Sequence, residues 1–352
     1  MKVGNSIIGG NKELYFIADI GANHDGDINR AFELIKLAKE SGADAAKFQN
    51  FQASKIVSKY GFEKLGTFLS HQKDWKKSVF EVYEDASISK DWTKLLKKKC
   101  DEVGIDYFTS PYDFDSVDSV DSYVKIYKIG SGDITWHEII EHICKKEKPV
   151  LIATGASKLE DVEKAMTILQ NYTHDIVLMQ CNTNYTASLE NFKYVNLNVL
   201  KLYAKMYPNV TLGLSDHTEG HATVLGSIAF GARVIEKHFT DDNLREGPDH
   251  KFAMNPKSWR EMVDRSYELF YSLGDGVKRI EENEKDAAIV QRRCLRATRD
   301  MLIGDIITDE DVESLRPMSV DSLAPYEVEK IIRKKLKVNI QKGEHFTINH
   351  IT

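Results

Sequence analysis

The chain has 352 residues, room for one large domain and one small one. Hydrophobic residues make up 42% and charged residues 29%, a globular balance that excludes a largely disordered chain. Lys and Arg number 48 against 54 Asp and Glu, a net charge of −6 with the signs interspersed, so nucleic acid is not an expected partner.

From residue 14 to about 273, short apolar runs alternate with longer amphipathic stretches. Strands are predicted at 14–19, 45–49, 106–110, 125–129, 149–153, 176–180, 210–214 and 233–237. Helices are predicted at 29–41, 91–103, 113–122, 136–147, 158–171, 190–206, 220–231 and 256–273, with spacing such as Ala31, Leu34, Ile35 and Ala38 marking a core-facing stripe. Eight such units match a closed (β/α)8 TIM barrel. An open doubly wound sheet ranks second, because no GxGxxG follows the first strand.

Residues 50–89, with Tyr60, Phe62, Phe68, Trp75, Phe80 and Tyr83, form too long an excursion for an ordinary βα loop and are expected to cover one barrel end as a lid or interface. The barrel domain is expected over 1–280, a charged connector over 281–291, and a small α+β domain of short strands and turns over 292–352, with helical starts near 308 and 326.

The longest apolar stretches, such as 224–235, fall short of the ~20 residues that span a bilayer, so no membrane partner is expected. The N-terminus does not read as a secretory signal, and a cytoplasmic location is expected. Cys100, Cys144, Cys181 and Cys294 form no CxxC pair and are expected as reduced core thiols.

Barrel enzymes place their chemistry at the C-terminal strand ends. Here those ends carry Asp19, Lys47, Gln49, Thr109, Lys128 with Ser131, Gly155 in TGAS, Tyr185, Ser215 in SDHT, and Glu236. Lys47 and Lys128 on otherwise buried strands require partners, either Asp19 and Glu236 or a bound anion. The hydroxyls and amides around Ser131 and Gly155 favour a phosphate or carboxylate. His217 and His238, at neighbouring strand ends, are placed to share one divalent ion with coordination positions left for substrate and water. The alternative is one acid–base histidine and one structural one.

The runs KFQ at 47–49, KIGSGD at 128–133, ATGAS at 153–157, SDHT at 215–218, IEKHFT at 235–240 and GPDHK at 247–251 resemble the signature of the sialic acid synthase (N-acetylneuraminate synthase) family, which includes legionaminic and pseudaminic acid synthases. The tail from 292, with RPM at 316–318, is similar to that family's antifreeze-like SAF domain. The resemblance implies condensation of phosphoenolpyruvate with an N-acyl hexosamine, N-acetylmannosamine or a 6-deoxy diacetamido hexose, to a nonulosonic acid and phosphate. It implies Asp19, Lys47 and Glu236 as catalytic residues, and Lys47, Gln49, Thr109, Lys128, Ser131, Gly155 and Ser215 as phosphoenolpyruvate ligands. Tyr185, Asp249 and Arg316 are implied at the sugar. A divalent metal is implied on His217 and His238, Mn²⁺ first and Mg²⁺ or Co²⁺ next, as is a homodimer whose C-terminal domain is swapped onto the partner's barrel mouth. The chain departs from the family where Asp19 replaces the usual Glu and where Tyr185-Thr186-Ala187-Ser188 replaces YPTP. Two other classes are a Schiff-base barrel aldolase using Lys47 or Lys128, and a non-catalytic carbohydrate-binding relative.

Overall fold

In the computed structural model, residues 1–3, 6–8, 13–65, 72, 75–173 and 175–352 are described. Phe68 of the expected excursion lies outside them. The chain divides into two compact units, Met1–Gly274 and Asp275–Thr352.

The first unit is a (β/α)8 barrel. Its strands are β1 (Tyr15–Asp19), β2 (Ala45–Asn50), β3 (Asp106–Pro111), β4 (Tyr127–Ile129), β5 (Val150–Ala153), β6 (Ile176–Cys181), β7 (Thr211–Asp216) and β8 (Val234–His238). The eight are arranged in one sheet, and the paired strands run parallel. β3 and β4, at the two ends of the ladder, are in contact without a ladder among the described residues, so packing closes the barrel. Nearly every strand residue is buried, because the lumen takes one face and the helices the other.

Helix Ile28–Glu40 shows how the outer layer forms. Asp27 caps it by accepting from the Asn29 N–H at 2.8 Å, and Ala31, Leu34, Ile35 and Ala38 face the barrel. The helix expected over 190–206 is broken instead into a 3-10 turn, Leu189–Tyr194, and a helix, Val199–Met206. Asn196 between them adopts φ 50°, a left-handed conformation that ends helical hydrogen bonding.

The excursion after β2 carries helices Ala53–Ile56, Lys59–Leu65 and Val79–Ala86. The last begins with a reciprocal cap, Ser78 N–H to Glu81 Oε2 at 2.9 Å and Glu81 N–H to Ser78 Oγ at 3.3 Å.

The second unit buries its own small core around Leu295, Ile307, Ile331, Leu336 and Phe346. Its strands β9 (Cys294–Ala297) and β10 (Val312–Leu315) pair antiparallel. The segment read as a connector, 281–291, holds two short helical turns, Glu282–Glu284 and Lys285–Val290, supported by an ion pair of 2.5 Å between Lys285 and Glu282. The expected helix near 326 is a 3-10 turn, Pro325–Lys330, and Arg333 just beyond it is left-handed, φ 64°.

Candidate active site

Paired residues in parallel strands point to the same face, so register decides which side chains enter the lumen. Asp19 pairs with both Lys47 and His238, Glu236 with Ser215, and Gln49 with Ser110. Lys128 reaches across from β4. Lys47 Nζ lies 2.7 Å from Asp19 Oδ2 and 3.4 Å from Glu236 Oε1, and Lys128 Nζ lies 3.1 Å from Glu236 Oε1. Lys47 is 1% exposed, so its charge is held almost entirely by those carboxylates. Burial works against its ammonium, yet Asp19 and Glu236 outweigh burial and raise its pKa. Burial likewise opposes ionisation of Glu236, and Lys128 and Lys47 hold its carboxyl well below the usual range.

The cluster is not saturated. Glu236 Oε2 and Ser110 Oγ are buried without a hydrogen-bond partner, and Lys128 donates to Glu236 alone among the described residues. The unspent donors, the Ser110 hydroxyl and the Lys128 ammonium, are the capacity an anionic ligand would use, and Glu236 Oε2 is left to accept from a ligand hydroxyl or water.

Thr109 requires a correction. It pairs with Phe48, on the helix side, and its hydroxyl donates to Asn50 Oδ1 at 2.7 Å, while Asn50 in turn donates to Thr93 Oγ1 at 3.1 Å. Ser110 is the lumen-facing hydroxyl of β3. A one-residue shift in register moves a strand side chain to the opposite face, and sequence alone does not fix register. Gly155 stands beside Ser131. Its N–H donates to Ser131 Oγ at 2.9 Å and orients that hydroxyl. A Cβ at Gly155 would meet Thr183 Cγ2 at 2.4 Å and Ser131 Oγ at 2.9 Å, which is why glycine stands there.

Above the lysines, the imidazoles of His217 and His238 lie with ring centroids 5.4 Å apart. His217 Nδ1 donates to the Asn182 carbonyl at 2.9 Å, which fixes that tautomer and leaves Nε2 with its lone pair. Burial, then the neighbouring His238, lowers its pKa to about 4. His238 Nδ1 is buried without a hydrogen-bond partner. This donor set fits a divalent ion held by two imidazoles, although among the described residues no three His, Cys, Asp or Glu side chains form a complete cage. Asp19 Oδ2 lies 3.5 Å from His238 Nε2 and accepts from Gln49 Nε2 at 3.2 Å, while Asp19 Oδ1 accepts from the Gly21 N–H at 3.1 Å.

Tyr185 packs on His217, centroids 4.2 Å apart, and Phe252, which the sequence reading missed, packs on His238 at 5.0 Å. Asp249 accepts from the Ala22 N–H at 3.1 Å and lies 3.6 Å from His238 Nδ1. A cavity of about 160 Å³ opens here, lined in part by Gln49, His238, Asp249 and Tyr185. Phe51, Ile56, Trp75, Val82, Tyr83 and Ala86 of the excursion line the same cavity, so the excursion packs at the barrel mouth. Arg316 belongs to the second unit, where it is exposed.

Fold and site together define a (β/α)8 barrel protein with an anion-handling, two-histidine mouth, followed by a separate small domain. The NeuB family profile matches residues 34–278 and the SAF domain profile residues 292–352, and the chain belongs to the NeuB family. It is 33% identical over 349 residues to N,N′-diacetyllegionaminic acid synthase of Legionella pneumophila, covering 97% of this chain and 96% of that one. It is 28% identical to human N-acetylneuraminate-9-phosphate synthase, covering 96% and 92%. The crystal structure of N-acetylneuraminic acid synthetase from Leptospira borgpetersenii superposes with a TM-score of 0.70 at 27% identity, covering 82% of this chain and 94% of that chain.

Proposed function

We propose that this chain condenses phosphoenolpyruvate with the open-chain aldehyde of an N-acyl hexosamine, giving a nonulosonic acid and inorganic phosphate. The observation that carries the reading is the convergence of Lys47, Lys128, Asp19 and Glu236 directly beneath the His217–His238 pair in one lumen.

Lys47 and Lys128, with Ser110, Ser131 and Ser215, hold the carboxylate and phosphate of the enol. Gly155 fixes the Ser131 hydroxyl. Tyr185, Gln49 and Asp249 bracket the space for the sugar and bring its aldehyde against C3, and holding two reactants in contact supplies much of the rate. When bound at His217 and His238, a divalent ion, Mn²⁺ in the first instance, would supply Lewis-acid polarisation of the aldehyde. C3 attacks the aldehyde carbon, water adds at C2 with Asp19 taking one of its protons and returning it to the new alkoxide oxygen, and the C2–O bond to phosphate breaks. The C2 hydroxyl becomes the ketone and its proton leaves with the phosphate. Asp19 is positioned for this by Gln49 and the Gly21 N–H.

Lys47 is a paired ammonium with a raised pKa, a poor start for Schiff-base attack, which requires a free amine. We also propose a cytoplasmic homodimer in which the second unit's Arg316 reaches the partner's sugar site. Mixing an Arg316→Ala chain with a His217→Ala chain under subunit exchange should restore activity in part; a mixture that stays inactive contradicts the swap. The reaction itself is tested by offering phosphoenolpyruvate, Mn²⁺ and a panel of hexosamines while reading phosphate release and product mass. A product lacking the mass of hexose plus pyruvate contradicts the proposal.

A further inference from the structure

Two loops at the barrel mouth, residues 20–27 after β1 and 239–255 after β8, are joined by two parallel contacts. In the first, the Ala22 N–H donates to Asp249 Oδ2 at 3.1 Å. In the second, His250 Nε2 lies 2.9 Å from Asp25 Oδ1. Asp249 and His250 are consecutive, and Ala22 and Asp25 are the two ends of one turn, closed by the Asp25 N–H on the Ala22 carbonyl at 3.1 Å. The result is a ladder of two rungs: Asp249 lines the cavity, whereas His250 is 0% exposed. Burial opposes the charge of Asp25, but hydrogen bonds from His250 and Arg245 hold its carboxyl below the usual range. An ionised carboxylate only accepts, so the proton of the inner rung sits on Nε2. The other ring nitrogen, Nδ1, meets Thr240 Oγ1 at 2.7 Å, and Arg245 and Arg30 reach Asp25 Oδ2 at 2.7 Å and 3.1 Å. Both rungs require glycine beside them: a Cβ at Gly247 would meet His250 Cδ2 at 2.6 Å, and one at Gly21 would meet Asp249 Oδ2 at 2.7 Å.

A loop carboxylate tied down by one backbone N–H can pivot about that contact, and a second, buried rung removes the freedom. Ordering the carboxylate before the ligand arrives lowers the cost of binding. Resting on the synthase reading above, we infer that His250 is a positioning residue for the acceptor hexosamine: through Asp25 it fixes the loop so that the Asp249 carboxylate accepts from a sugar hydroxyl or amide N–H beside His238. The residues assigned to phosphoenolpyruvate stand on or beside β2, β3, β4 and β7, outside this clamp, so its effect is confined to the acceptor.

The test compares KM for the hexosamine with KM for phosphoenolpyruvate, read by phosphate release with Mn²⁺, because KM does not depend on how much of a preparation folds. His250→Leu should raise KM for the hexosamine about 10–100-fold, the usual cost of losing a supporting hydrogen bond at a site, with KM for phosphoenolpyruvate and kcat little changed. His250→Gln, which keeps an N–H donor in place of Nε2, should recover most of that loss. In an Asp249→Ala background, His250→Leu should raise the hexosamine KM no further, since the carboxylate it holds is gone. Asp25→Asn, at the other end of the rung, should act in the same direction and carries the test if His250→Leu fails to fold. A hexosamine KM unmoved by these variants, an equal rise in both KM values, a Gln variant as poor as the Leu one, or a full additive effect over Asp249→Ala overturns the inference and leaves the synthase reading intact. Absence of phosphate release from the parent chain with every hexosamine offered contradicts the synthase reading and this inference with it.

Discussion

Strand β8 contributes to two buried lysine–carboxylate arrangements on opposite faces, Lys237 to one and Glu236 to the other, and the two differ in one respect. On the helix side, Lys237 pairs with Asp216 and donates to the Thr218 carbonyl at 2.6 Å, while Asp216 also accepts from Thr218 Oγ1 at 2.9 Å and Thr223 Oγ1 at 2.7 Å. Neither partner leaves a polar atom unbonded. On the lumen side, Lys128 and Lys47 share Glu236 Oε1, and Glu236 Oε2 and Ser110 Oγ have no partner. The first arrangement is closed and structural. The second retains binding capacity, and buried capacity of that kind is costly unless a ligand uses it.

Substitution should separate the two pairs. Lys128→Met is expected to lower turnover by about a thousandfold or more, since it removes a preorganised charge at the reacting phosphate, with a smaller change in thermal midpoint. Lys237→Met should show the larger stability loss, about 3–5 kcal/mol and about 5–9 °C in midpoint, because Asp216 is left buried and unpaired. Equal stability losses in calorimetry would erase the distinction.

Two lumen groups sharpen the comparison further. Asp19→Asn should lose about 10²–10⁴-fold in turnover while still binding phosphoenolpyruvate, the range of a general acid–base group. Near-normal turnover would move the proton role to Glu236. Chelation should abolish turnover and Mn²⁺ should restore it, and full activity in a His217→Ala/His238→Ala double variant would contradict a metal at that pair.

The smallest expected effect tests register. Ser110→Ala should raise KM for phosphoenolpyruvate several-fold with little stability change. Thr109→Ala should instead cost about 1–3 kcal/mol of stability by leaving Asn50 short of a donor, with KM unaltered. The reverse pattern would put Thr109 back in the lumen.

These particulars show what the sequence made legible. The strand at 45–49 could be found because Lys47 and Gln49 stand in an apolar run, and all eight strands follow from such runs. Strand-end residues His217, His238 and Glu236 converge because a parallel barrel gathers its C-terminal ends at one mouth. Thr109 was misplaced because Thr109 and Ser110 are adjacent hydroxyls, and only the pairing of Ser110 with Gln49 tells them apart. Ile56, Val82 and Ala86 carried no signal, since an apolar residue on a short helix reads as ordinary core. The break at Asn196 was hidden because the surrounding residues keep helical spacing, and one left-handed residue overrides it.

The central claim is that this lumen breaks the C2–O bond of phosphoenolpyruvate after joining C3 to an aldehyde. Phosphoenolpyruvate labelled with ¹⁸O at the C2 bridging oxygen, incubated with the enzyme, Mn²⁺ and an accepted hexosamine, reports it directly through the ³¹P signal of the released phosphate. The account predicts that the phosphate carries the label. Unlabelled phosphate, with ¹⁸O left in the organic product, would mean P–O cleavage and would contradict it.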